Sequence, residues 1–174
     1  ALAFEVLWTR YLIYVVGENS VYAFALILAA FLLGIVLGSF AISLFGDRLR
    51  RPVRAFAVVQ VLIGATALAS VAVMAQLATS RSFGGGDFVE LTKIRFLKCL
   101  AVLLVPTTFS GATFALVARV YASRMESLAQ DAGRAYAWNT FGAILGAVHG
   151  GFVILPRLGL RHGMAALAAV SVLV

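Results

Sequence analysis

The sequence predicts an all-α membrane protein with six transmembrane helices, and three observations predict it. Of its 174 residues, 63% are hydrophobic and only 12% are charged, whereas a soluble domain is about half apolar and about a quarter charged. The apolar residues fall into six stretches parted by short polar ones, with runs of the length that crosses a bilayer. Glycines recur at four-residue spacing inside two of those stretches, the pattern that lets helices approach closely in lipid. This composition excludes a disordered chain, a disulfide scaffold and an ordinary soluble domain. Residues 1–174 read as a single transmembrane helical domain.

The first stretch is 1–16, and Gly17-Glu18-Asn19-Ser20 reads as a turn with Ser20 as N-cap. The second is 21–45, followed by the basic loop Gly46-Asp47-Arg48-Leu49-Arg50-Arg51-Pro52. The third is 53–78, followed by a polar loop over 79–91 that contains Gly84-Gly85-Gly86. The fourth is 93–122, with Pro106 predicting a kink because it frees the Val102 carbonyl, for Thr107 or Thr108 to satisfy. A polar loop over 123–133 precedes the fifth stretch, 134–155, which Pro156 is expected to stop. The sixth is 163–174. The first and last stretches are short for a hydrocarbon core of about 30 Å, so both terminal helices read as truncated pieces of a longer product.

Charge sets the expected orientation. The loop 46–54 carries Arg48, Arg50, Arg51 and Arg54 against Asp47, while the turn after the first stretch carries only Glu18. Positive-inside places loop 46–54 in the cytoplasm, with Lys93, Arg95 and Lys98 opposing from the other side. The net charge of +7 is assigned to loops, helix ends and lipid head groups rather than to nucleic acid. The expected partners are the bilayer and either other membrane subunits or further copies of the chain.

The two halves resemble one another at an offset of 108 to 110 residues. Gly34 and Gly38 match Gly142 and Gly146, Arg10 matches Arg119, and Arg51 matches Arg161. Three helices per half make the second half inverted in the membrane, the 3+3 build of half a major facilitator transporter. Gly34 and Gly38, and Gly142, Gly146 and Gly150, are expected to be packing positions.

Few polar residues lie at membrane depth. Glu5 in the first helix is a functional candidate because an intramembrane carboxylate is costly; a proton or cation site competes with a structural ion pair, which is the simpler reading. Trp8 and Thr9 lie on its face, and Arg10 lies off it. Arg134, Tyr136, Asn139 and Thr140 open the fifth helix, suited to an interface belt and to interhelical hydrogen bonds. His149 sits among glycines, so a haem or chlorophyll ligand competes with a hydrogen-bonded structural histidine. Cys99 is the single cysteine and has no ligand spacing around it. No metal site, cofactor or catalytic motif is expected: there is no phosphate-binding loop, no nucleophile elbow and no zinc-protease signature.

Several strings carry a resemblance together. They are Phe4-Glu5-Val6-Leu7-Trp8-Thr9-Arg10, Ser20-Val21-Tyr22-Ala23-Phe24, Ala29-Ala30-Phe31-Leu32-Leu33-Gly34 with Gly38-Ser39, Gly111-Ala112-Thr113-Phe114, and Gly133 through Ala143. In this order the chain resembles the membrane region of bacterial fused spermidine-synthase-like proteins, which join a major-facilitator-like helical region to a soluble aminopropyltransferase-like domain. The basic loop departs from the major-facilitator pattern in lacking its internal glycine. The resemblance implies a non-catalytic six-helix region of the inner membrane, acting as an anchor or a carrier, with Glu5, Arg10, Arg134, Tyr136 and Asn139 as family-pattern positions. It assigns aminopropyl transfer to a soluble domain following this region. A structural accessory subunit docked by its glycine faces is the competing reading, and a pigment-binding subunit through His149 is the third.

Overall fold

The computed structural model describes residues 2–16, 21–46, 49, 51–79, 87–121 and 128–173, with backbone alone at 120–121 and 128–132. All regular structure among these residues is helical. In chain order the elements are α1 (Leu2–Val16), α2 (Val21–Phe45), α3 (Pro52–Thr79), α4 (Phe88–Tyr121) and α5 (Leu128–His149); a π-helical turn, Gly150–Ile154, then leads into α6 (Leu155–Leu173). Four stretches are long and apolar enough to cross a membrane: Val21–Phe45, Pro52–Thr79, Phe88–Arg119 and Gly133–Leu173. Rows of exposed apolar side chains, among them Val36 and Phe40 on α2 and Phe141 and Phe152 near the end of the chain, form the surface a bilayer solvates; in water a patch of this extent marks an interaction site.

The core surrounds α1. Leu7, Trp8 and Leu12 of α1 are fully buried with Ile27 of α2, Met74 of α3, Val102 and Leu103 of α4 and Met164 of α6. These side chains recur every three to five residues on α1, the spacing of one helix face. Phe4 stacks on Trp8 with ring centroids 5.4 Å apart.

Glycine determines how closely the other helices approach. A side chain at Gly34 would overlap the Thr107 hydroxyl, and one at Gly38 would meet the Thr108 carbonyl and lie 2.8 Å from the Ala112 nitrogen. From the opposite wall, Gly111 presses on the Ile35 backbone, and the Ser39 hydroxyl donates to the Gly111 carbonyl at 3.1 Å. The α2–α4 pair is thus in backbone contact, the geometry small residues permit in lipid. Gly64 of α3 meets the Ala168 carbonyl of α6. Gly146 and Gly150 rest on Ala3 of α1, with 3.1 Å between a Cβ built at Gly150 and the Ala3 Cα.

Several boundaries differ from the sequence expectation. α4 begins at Phe88 rather than 93, and α5 begins at Leu128 rather than 134; polar residues continue those helices beyond their apolar spans. Pro156 does not stop a helix. It lies in the first turn of α6, where a missing N–H costs nothing. The break comes instead at Gly159, with φ 67° and ψ −176°, a region essentially reserved for glycine. Beyond it the chain folds back, since a Cβ at Gly163 would lie 2.8 Å from Ile154 Cγ2. α4 runs unbroken through Pro106. The hydroxyls there do not serve the Val102 carbonyl: Thr107 donates to Leu103 at 2.7 Å and Thr108 to Leu104 at 2.6 Å. The turn at 17–20, with its Ser20 cap, and Gly84-Gly85-Gly86 lie outside the described residues.

Candidate functional site

The polar residues of α1 lie on different sides of the helix. Trp8 points inward, 1% exposed, and its indole N–H donates to the Ser70 hydroxyl of α3 at 2.9 Å. Ser70 in turn donates to the Ala67 carbonyl at 2.7 Å, so both buried polar groups are satisfied. Sequence reasoning placed Trp8 with Glu5 and missed Ser70. Its signal was a lone hydroxyl inside an apolar helix, which is also the signal of a serine bonded only to its own backbone.

Glu5 is half-buried, and among the described residues no cation or donor holds it. The expected interhelical ion pair is therefore not formed among those residues. Arg10 lies five positions on, roughly 140° round the helix. It lines a cleft of about 430 Å³ with Tyr11, Tyr14, Gly151, Leu155 and Leu160. Arg119, its match in the second half, packs on the end of α2 instead. Its guanidinium reaches the Ile42 carbonyl at 3.5 Å and lies against Gly46.

The α5 residues face outward. Arg134, Tyr136, Trp138 and Asn139 are exposed. Thr140 donates to the Tyr136 carbonyl of its own helix at 2.9 Å, and Asn139 has no hydrogen bond among the described residues. These residues are therefore not glue between helices of this chain, because the face that carries them meets no neighbour. His149 is also exposed, and its Nδ1–H donates to the Leu145 carbonyl at 2.9 Å. This leaves Nε2 as the only ligating nitrogen, on an open surface rather than in a pocket. Neither of the two main clefts includes His149, and no cluster of metal-ligating side chains is found among the described residues.

Four of the five expected packing glycines, Gly34, Gly38, Gly146 and Gly150, are used inside the chain; Gly142 has nothing within 4 Å of a built Cβ. A second cleft, about 690 Å³, opens between Ile42, Arg51, Arg54, Val58 and Leu116. Set beside protein-family models, curated proteins and solved structures, the chain matches none.

Proposed function

We propose that residues 1–174 form the membrane-embedded, non-catalytic region of a spermidine-synthase-like fused protein: a six-helix, half-transporter-like body that anchors it in the bacterial inner membrane with residues 46–54 on the cytoplasmic side. The strings of α1 and α5 quoted above support the family. One crossed pairing supports the architecture. Gly38 of α2 packs on Ala112 of α4, and Gly146 of α5 packs on Ala3 of α1. Gly146 follows Gly38 by 108 residues, and Ala112 follows Ala3 by 109. Exchanging the halves thus exchanges the contacts, as an inverted repeat requires. The 41-residue stretch Gly133–Leu173 is about 60 Å long at 1.5 Å per residue, twice a hydrocarbon core, and the reversal at Gly159 divides it into two spans.

The anchor is favoured over an accessory subunit docked by glycines, since four of those glycines are occupied within the chain. It is favoured over a carrier because Glu5 stands without a second ionisable group to form a relay.

Single cysteines labelled by a membrane-impermeant maleimide test the topology, with the buried Cys99 as silent background. Leu49→Cys and Leu173→Cys are expected to react from the cytoplasmic side, and Asp87→Cys and Leu158→Cys from the other. Leu173→Cys reacting with the Asp87 side would leave four spans and overturn the six-helix reading. In proteoliposomes the anchor gives no spermidine uptake; uptake abolished by Glu5→Gln would replace it with a carrier.

A further inference from the structure

Arg10 and Arg119 occupy matching places in the two halves and meet different surroundings. Helix α2 ends near Gly46, and its last carbonyls are free to accept; Arg119 reaches one of them at Ile42. Helix α5 does not end at the matching place. It continues through the π turn Gly150–Ile154 into α6, so its carbonyls are taken up by the chain itself. Arg10 is left facing a cleft, with no hydrogen bond or ion pair among the described residues.

A guanidinium is always charged and presents a planar fork of donors that fits a phosphate in bidentate fashion. Six residues separate Arg10 from the end of α1, about 9 Å along the axis, so the charge lies below the helix end, where an unpaired cation is costly. The cleft offers two further features beside the charge. Tyr11 and Tyr14 bring phenolic hydroxyls to its wall, and Leu155 and Leu160 make the rest apolar. Cation and hydroxyls above an aliphatic wall match one chemistry: a phosphodiester with an acyl chain attached.

We propose that the Arg10 cleft binds one anionic phospholipid, its phosphate on Arg10 and the two tyrosines and its chain along Leu155 and Leu160. This site is separate from the anchoring role. The bilayer solvates the whole apolar surface without selection, whereas the cleft selects by headgroup charge.

Native mass spectrometry of the purified chain, released from detergent with phosphatidylglycerol or phosphatidylcholine present, tests it. The wild type is expected to retain one phosphatidylglycerol with a preference of about tenfold or more, the size of a charge-assisted hydrogen bond. Arg10→Gln is expected to abolish the preference, and Arg10→Lys to reduce it, since an ammonium has no fork. Gly151→Leu keeps the charge and narrows the cleft, so it tests the site even if Arg10→Gln fails to fold; it too is expected to lose the lipid. Arg157→Gln, outside the cleft, is expected to leave retention unchanged. The proposal is overturned by equal retention of phosphatidylcholine, by wild-type retention in Gly151→Leu, or by an equal loss in Arg157→Gln, which would mean diffuse surface charge. Displacement of the lipid by millimolar inorganic phosphate would also overturn it, in favour of a free-anion site.

Discussion

At the scale of single residues, hydrogen bonding separates the polar groups of α1. Trp8 was legible in the sequence as a polar-tipped aromatic near Glu5, but its partner was not: Ser70 lies 62 positions away, and nothing local in α3 distinguishes it from Thr66, which bonds only its own helix. The Trp8–Ser70 bond predicts coupling. Ser70→Ala is expected to destabilise the protein by about 1 kcal/mol. In a Trp8→Phe background the same change costs less, giving a coupling on the order of 0.6 kcal/mol. Unfolding in mixed detergent micelles with rising SDS measures the four variants, and strict additivity would show that the bond contributes nothing. Glu5 and Arg10 were legible as candidates because charge at membrane depth is rare. Their separation on the helix followed from five-residue spacing; the cleft beside Arg10 did not, because it is made by α6.

At the scale of elements, hydropathy marked the helices and misplaced their ends. The apolar spans of α2 and α3 match the structure within about a residue at each end. α4 starts earlier because Phe88-Val89-Glu90-Leu91 is a good helix despite its polar neighbours. Pro156 and Gly159 show the limit of punctuation signals: either residue can end a helix, and only backbone geometry shows which one does. The glycine motifs were legible as packing positions, yet spacing alone gave Gly142 the same standing as Gly38. The structure separates them, and the separation is testable. Gly38→Leu would drive a side chain into the Thr108 carbonyl and is expected to cost about 3 kcal/mol or more. Gly142→Leu points into open space and is expected to stay within about 0.5 kcal/mol. Thermal unfolding of the two proteins in one detergent compares them directly; a large loss at Gly142 would show that its face is covered.

At the scale of the whole molecule, a helical membrane protein was legible from composition, because 63% apolar content leaves lipid as the only adequate solvent. The pairing of helices was not, since lipid-facing and protein-facing residues are both apolar and carry no contrast. The π turn bears on the register of the proposed repeat. The glycine pairs stand 108 residues apart and the Arg51–Arg161 pair 110, and Gly150–Ile154 lies between those markers in the second half. A turn closed from i to i+5 holds one residue more than an α-helical turn, so it absorbs an inserted residue that would otherwise rotate all that follows by about 100°. Length tolerance is therefore expected to be local. Deleting Phe152, 80% exposed, lets the turn tighten to α geometry and is expected to leave a cooperative melt. Deleting Val36, which also faces outward, destroys the Gly34–Gly38 spacing and is expected to abolish folding. The bulge works as an expansion joint, the one place in the second half where the chain can gain or lose a residue and keep its helices facing their partners.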